Sequence, residues 1–568
     1  MKHQSFVFLS LVFILFSCSN KSNEHSQNEA YFKYVSYQGD DTFYKEHPLK
    51  EGQYYNPVLQ GYYPDPSVCK RGEYFYLVTS TFSNFPGLPI FRSTDLINWD
   101  QIGNALDRPE QFDNTDKRTS QGIYAPTIRY NKHEDMFYLV TTYVGGGGNF
   151  MLKAKDPAGP WSNPIWLPEV LGIDPDLFFD NDGRLYIANN QDPEGGGLYQ
   201  GHKAIWLQEF DMKTEKTIGE RKMIRNGGNN LDEKPIWIEG PHLYKMDGYY
   251  YLLTSEGGTS INHSLCFYRS KDVWGPYEAC PSNPVLTQRS LDPNREDPVS
   301  NAGHADIVQM NDGSWRVVFL ACRPYTAAND FNIGRETFML PFEWRGGWPY
   351  FMEKNEQIPL IVDGLGSGKA DANFEWKEEF AKKEIPMNWM FLRIPSSEWW
   401  RFPQDKNGIV IEAQATNLRE QNQSAFLMVR QQHHEFSLET ELTFNPTRED
   451  KFAGLAMLQN EVHFITFGLT QRDAKICVVV NQSTEQTNTK RIPVDMGIES
   501  IIGQKQLASM MLASGENIKL RIVCKDAHFS FYANDMLVVD GVDARHLSTE
   551  QAGGFIGTLL GVYVSTND

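Results

Sequence analysis

The chain has 568 residues, 40% hydrophobic and 22% charged, with 13 Trp, 26 Tyr and 35 Phe; that much apolar surface fills cores over most of its length and excludes a largely disordered chain. Its 53 Lys and Arg against 72 Asp and Glu leave a formal charge of −19, which repels phosphate backbones and anionic headgroups and excludes nucleic acid as a partner. The length suits two domains if one is a large all-β barrel or propeller, and 45 Gly, 30 Pro and the aromatic surplus point to turn-rich β structure suited to neutral, ring-shaped ligands such as sugars.

Lys2 and His3 precede an apolar run over 6–16, broken by Ser10, that is shorter than the about 20 helical residues needed to span a bilayer. It reads as a signal peptide over 1–18. The run ends Leu15-Phe16-Ser17-Cys18, which resembles the lipobox of bacterial lipoproteins, although Phe16 stands where that motif has a small residue. The resemblance implies cleavage before Cys18, lipidation of Cys18, and a chain anchored to the bacterial cell envelope, periplasmic or surface-facing, that touches membrane only through its lipid. Residues 19–50 read as a tether and lead-in, polar at first. The six later cysteines, at 69, 266, 280, 322, 477 and 524, form no CxxC pair and no zinc spacing, so buried thiols are expected.

From 51 to 350 the sequence repeats. Five strand-like segments, at 73–80, 135–142, 183–190, 248–255 and 313–320, are β-branched or aromatic and each follows a polar or glycine turn. About ten residues before each stands a second element: Asp65-Pro66-Ser67, Ala125-Pro126-Thr127, Asp174-Pro175-Asp176, Gly240-Pro241-His242, and the degenerate Gly303-His304-Ala305. Multi-strand units repeated five times, with no helical periodicity between them, predict a five-bladed β-propeller. Residues opening the innermost strands then converge on one funnel.

Asp65, Asp174 and Glu239 stand at those converging positions in the first, third and fourth units. Carboxyls crowded in a cleft split their pKa values, so that one stays protonated near neutral pH while others are ionised. Acid–base cleavage of a glycosidic bond requires such a split. A single Asp-Pro would read as a turn, but its recurrence in register favours a site. Asp180-Asn181-Asp182-Gly183 reads as a hairpin rather than a metal loop, because the other ligand positions of an EF-hand are absent.

The motifs Gly61-Tyr62-Tyr63-Pro64-Asp65-Pro66, Ser83-Asn84-Phe85-Pro86-Gly87, Gly122-Ile123-Tyr124-Ala125-Pro126, Ile173-Asp174-Pro175-Asp176, Glu239-Gly240-Pro241-His242 and Gly334-Arg335-Glu336-Thr337 together resemble glycoside hydrolase family 43, in its β-xylosidase and α-L-arabinofuranosidase branch. The resemblance implies Asp65 as general base, Glu239 as general acid, and Asp174 as the residue that raises and orients the acid, with inversion at the anomeric carbon. It implies that Arg335 holds the innermost sugar, that Phe85 lines the pocket, and that Tyr124 forms part of its wall where this branch often has Trp. It places His304 on the axis near water or sometimes calcium; a buried, hydrogen-bonded histidine without metal is the alternative. No cofactor is required and no metal ligand is assigned.

The repeat ends near Trp348-Pro349, and 351–373, with Gly364-Leu365-Gly366-Ser367-Gly368, reads as a linker. From 374 to 568, segments such as 436–444, 453–458, 476–480 and 519–524 alternate with the period of two of half-buried strands. They predict a β-sandwich resembling the concanavalin-like accessory domain of the same branch, packed beside the funnel. The expected activity is that of an inverting exo-glycosidase releasing terminal β-D-xylosyl or α-L-arabinofuranosyl units from xylan or arabinoxylan fragments. A non-catalytic glycan-binding lipoprotein on the same scaffold is the alternative. The sequence leaves oligomeric state and the choice of pentose open.

Overall fold

The computed structural model describes residues 28–364, 372–485 and 502–567. The apolar leader, Cys18 and residues 365–368 of the glycine bridge lie outside them. Five antiparallel units follow one another in chain order, each from one contiguous stretch; four have four strands, and the fourth unit adds a short fifth strand, Leu286–Thr287, paired with Ser264–Ser270. Blade 1 comprises Ser67–Arg71, Tyr74–Val78, Gly87–Ser93 and Asp100–Leu106; blade 2 opens with Gly122–Asn131, blade 3 with Ile173–Phe179, blade 4 with Glu239–Met246 and blade 5 with Ser300–Gln309. These opening strands are the innermost, neighbouring one another around the axis. The five aromatic segments of the repeat form the second strands, as expected of a propeller.

Charged groups tie the inner strands together at the axis. Arg129 of blade 2 reaches Asp306 of blade 5 at 2.7 Å and Asp176 of blade 3 at 2.9 Å. Asp306 also accepts from Ser67 Oγ and Val68 N of blade 1 and from Tyr244 Oη of blade 4. Asp176 accepts the Leu243 N–H of blade 4, so all five blades share one buried network. Both aspartates are fully buried, where an unpaired charge would be costly and a paired, hydrogen-bonded one is held.

The C-terminal domain is a β-sandwich of two eight-stranded sheets. Phe436–Thr443 and Ile518–Lys525 alternate buried and half-buried side chains, the pattern of strands with one face on a core. Phe467 of one sheet meets Phe531 of the other, ring centroids 5.2 Å apart.

Three segments differ from their expected places. Residues 29–39, read as part of a tether and lead-in, form strand Glu29–Gly39, which pairs with Phe436–Thr443 and with Ile409–Glu412 inside a sandwich sheet. The physical reason lies in its own pattern: Phe32, Val35 and Tyr37 are buried while Lys33 points out. Asn84–Phe85, in a propeller loop, adds an edge strand to the other sheet, with Phe85 opposite Phe391. Part of the expected linker belongs to the propeller, because Ile361–Asp363 pairs with Gln53–Tyr55 and Phe351, Ile358 and Val362 are buried there. The six cysteines from Cys69 onward are buried free thiols.

Candidate active site

Proline has no N–H to give a ladder, so the repeated X-Pro interrupts pairing at the head of an inner strand. The register shifts there in blades 2, 3 and 4, and it shifts at the same place in blade 5, where no proline stands. A bulge of this kind re-aims a side chain. Asp65 and Asp174 each adopt φ +55°, Gly240 takes the same φ in blade 4, and His304 follows at +45° in blade 5. The left-handed slot is thus one device shared by four of the five blades, all but blade 2, and it turns its residue toward the funnel. In blade 4 glycine fills the slot, and the acid, Glu239, stands one residue earlier on a longer side chain.

Asp65, Asp174 and Glu239 are buried to 5%, 6% and 7% exposure. Asp65 accepts from Ser80 Oγ at 2.6 Å and from Arg335 Nη1 at 3.1 Å. Burial works to raise its carboxyl, but Arg335, His304 and Ser80 outweigh burial and hold it below the ordinary carboxylate range. Asp174 Oδ2 accepts the backbone N–H of Gly240 at 3.0 Å, which fixes the segment carrying the acid. Burial and the Asp65 charge push Asp174 upward. Burial, then Asp174 and Asp65, push Glu239 well above its ordinary value. Near neutral pH the group thus offers an ionised Asp65 and a protonated Glu239 on different blades, the pairing an acid–base reaction needs.

Two buried polar atoms here have no partner: Glu239 Oε1 and Arg335 Nε. Buried polar groups are ordinarily satisfied, and these two flank the space a substrate would enter. Arg335 is buried rather than a surface ion pair, and its Nη2 donates to Phe555 O of the sandwich at 3.2 Å. Its guanidinium lies 5.7 Å from the Phe82 ring and 5.6 Å from the Phe555 ring.

The wall differs in part from the expectation. Phe85 does not line the pocket: its pairing opposite Phe391 turns the ring into the core shared with the sandwich, at 5% exposure. Phe82, three residues earlier, takes that place. Tyr124 lies edge-on to Phe82 at 5.2 Å and to Phe555 at 5.7 Å, the two rings beside Arg335, and its hydroxyl donates to Ser120 O at 2.6 Å. The hydroxyl gained in place of the branch's usual indole is therefore committed to backbone. Phe555 was missed because Gly553-Gly554-Phe555 has no feature in sequence beyond a turn.

His304 is buried beside Asp65, its Nδ1 3.7 Å from Asp65 Oδ1, with its backbone N–H given to Ser255 Oγ. Burial pulls its pKa down to about 4, so the imidazole is neutral. It is buried, as the alternative expects, with its hydrogen bond made through the backbone. For an axial calcium the donors do not assemble: among the described residues no cluster of three or more His, Cys, Asp or Glu could hold a metal ion, and Asp65 is committed to Arg335 and Ser80.

The sandwich loop that carries Phe555 is fastened to the propeller at several points. Thr549 N donates to Phe331 O, Ser260 Oγ to Glu550, and Phe555 N to Ser120 Oγ, each at 3.0 Å. Arg335 and Phe555, with Thr259, Ser260 and Asn301, line a cavity of about 130 Å³. A larger one of about 600 Å³, between the propeller and the sandwich around Asp41, Arg323 and Tyr325, contains none of the three acids. Convergence of acids, not volume, locates the chemistry.

Residues 54–349 match the family model described as glycosyl hydrolases family 43, and residues 377–568 match the beta xylosidase C-terminal concanavalin A-like domain. The chain is similar to a xylosidase/arabinosidase of Butyrivibrio fibrisolvens, 35% identical over 523 residues covering 90% of this chain and 96% of that one. It is also similar to a non-reducing end alpha-L-arabinofuranosidase of Bacteroides ovatus, 32% identical over 537 residues covering 91% and 92%. Among solved structures, a GH43_12 protein retrieved from a capybara gut metagenome superposes with a TM-score of 0.84 at 37% identity, covering 94% of this chain and 99% of its own.

Proposed function

The chain belongs to glycosyl hydrolases family 43, and from that premise we propose that it is an inverting exo-glycosidase releasing terminal β-D-xylosyl or α-L-arabinofuranosyl units from xylan or arabinoxylan fragments. One observation carries the reading: a buried Asp65 paired with Arg335 and a buried Glu239 with an unpartnered Oε1 approach one funnel from blades 1 and 4, with the carboxyl of Asp65 lowered and that of Glu239 raised. Asp65 draws a proton from water as that water attacks the anomeric carbon. Glu239 gives its proton to the departing glycosidic oxygen. Asp174, through the Gly240 N–H, holds the acid's backbone, and its own charge opposes ionisation of Glu239. Arg335 Nε is free to hold a sugar hydroxyl.

The test compares nitrophenyl β-D-xyloside and nitrophenyl α-L-arabinofuranoside on one purified sample, with NMR of the first product formed. Release of an inverted pentose supports the reading. A retained anomer, or no turnover of either substrate, would overturn it.

We also propose that Cys18 is lipidated and anchors the enzyme in a bacterial cell envelope. The support is the apolar run ending at Leu15-Phe16-Ser17-Cys18. Labelled palmitate should enter the wild-type chain and not the Cys18→Ser variant; equal labelling of both refutes the anchor.

A further inference from the structure

The segment just before the acid displays apolar side chains to solvent. Ile236 is 39% exposed and Trp237 40%. Trp237 also holds φ +54°, a left-handed conformation that a bulky residue rarely adopts. Such outliers persist where surrounding structure over-determines them, and they cluster at ligand sites. The restraint is visible: Trp237 N donates to Gly201 O at 2.7 Å, and Gly257 N donates to Ile236 O at 2.8 Å. The segment is thus pinned between the blade 3 loop carrying Leu198, 73% exposed, and the blade 4 loop carrying Ile261, 40% exposed.

Glycine lets the blade 3 loop come close: a Cβ at Gly201 would lie 2.9 Å from Ile236 Cβ. The blade 4 loop packs on the other side, where a Cβ at Gly258 would meet Ile236 Cδ1 at an ordinary contact distance of 3.6 Å. Lys203 stands over the indole at 5.0 Å, but its charge is paired with Asp192 at 2.6 Å, so the surface suits a neutral partner. Thr259 and Ser260, next along the blade 4 loop, line the cavity with Arg335 and Phe555. The blade 4 loop thus runs from the apolar patch to the cavity beside Arg335.

The chemistry orients this surface. Glu239 must sit against the departing oxygen, so the part of the substrate that leaves lies on the acid's side of the funnel. Two residues before the acid is the exposed indole. We propose that Trp237, with Ile236, Leu198 and Ile261, is a stacking platform for the leaving-group side of a neutral oligosaccharide, and that it makes the enzyme favour longer chains over disaccharides. The proposal rests on the glycosidase reading and adds to it a residue that reads chain length. An aromatic face covers the apolar face of a sugar ring, and the rigid backbone keeps it ready to do so.

The experiment uses the full chain with Glu239→Gln, whose turnover of unactivated oligosaccharides is slowed about 10²–10⁴-fold, and measures calorimetric affinity for xylobiose, xylotriose and xylotetraose with and without Trp237→Ala. Affinity should rise about tenfold from the disaccharide to the tetrasaccharide, and that gain should shrink to about twofold with Ala and largely survive with Trp237→Phe. Leu198→Ser, a change at an exposed site, is the second variant and should remove about a twofold share. A length-dependent gain untouched by either Trp237→Ala or Leu198→Ser overturns the platform, as does its absence from the parent. Failure of the wild-type chain to hydrolyse any pentoside, together with no binding at all, would instead overturn the glycosidase reading.

Discussion

A chain shortened to begin at Asp41 loses strand Glu29–Gly39 and leaves every residue of the propeller repeat in place. The strand sits between Ile409–Glu412 and Phe436–Thr443 and pairs with both. Phe32 and Val35 are fully buried, Tyr37 is 2% exposed, and Tyr31 and Tyr34 are 9% and 8% exposed. Removing five large buried side chains forfeits on the order of 10 kcal/mol of transfer free energy, at about 1.5–3 kcal/mol each. Whole domains are stable by about 5–15 kcal/mol, so the sandwich should fail to fold, and with it the Phe555 loop that closes on Arg335. The assay compares chains 28–568 and 41–568 for soluble yield, calorimetric unfolding and hydrolysis of an aryl pentoside. The shorter chain should be insoluble or show no cooperative sandwich transition, and a synthetic peptide of residues 28–40 added during refolding should restore part of the activity. A soluble, active 41–568 chain melting within a few degrees of the longer one would refute the reasoning.

Glu239→Gln should lower kcat about 10²–10⁴-fold on an unactivated xylo-oligosaccharide and much less on a nitrophenyl glycoside, whose leaving group needs little protonation; equal losses would argue against Glu239 as the acid. Activity needs Asp65 ionised and Glu239 protonated. Asp65 is lowered and Glu239 raised, so the acid limb of kcat/KM should lie below the ordinary aspartate value, and the alkaline limb well above the ordinary glutamate value. Glu239→Gln should remove the alkaline limb on the nitrophenyl substrate, and an unmoved limb would assign it elsewhere. Arg129→Met leaves buried Asp306 and Asp176 without their shared cation and should cost about 3–5 kcal/mol in stability, read by denaturant unfolding; a loss under about 1 kcal/mol would show that the axial network does not hold the blades.

How much was legible follows from where the information sits. The blades and the three acids could be read because X-Pro recurs at the head of four of the five inner strands, in register with the acids. His304 was found by the same register although its proline is missing. Phe85 was misread because its direction is set not by its own neighbours but by pairing with Phe391, over 300 residues away. Phe555 could not be found for a similar reason: nothing near it in sequence marks the docking of its loop on Ser120 and Arg335. Glu29–Gly39 did carry a signal, since buried Phe32, Val35 and Tyr37 flank the exposed Lys33, but it adjoins a polar stretch that reads as a tether.

The position of that first strand also sets an order of events during synthesis. Tyr31 bonds Asn407, 376 residues later, so at about 5–20 residues per second the ribosome takes roughly 20–75 s to deliver a partner. Each blade is contiguous and can close as it emerges. The opening strand cannot, and it must wait with its aromatic face uncovered while all five blades are made. Only when residues 409–443 arrive does the beginning of the chain find its place, which makes completion of the sandwich the last act of folding and the opening strand the segment most in need of a holding chaperone until then.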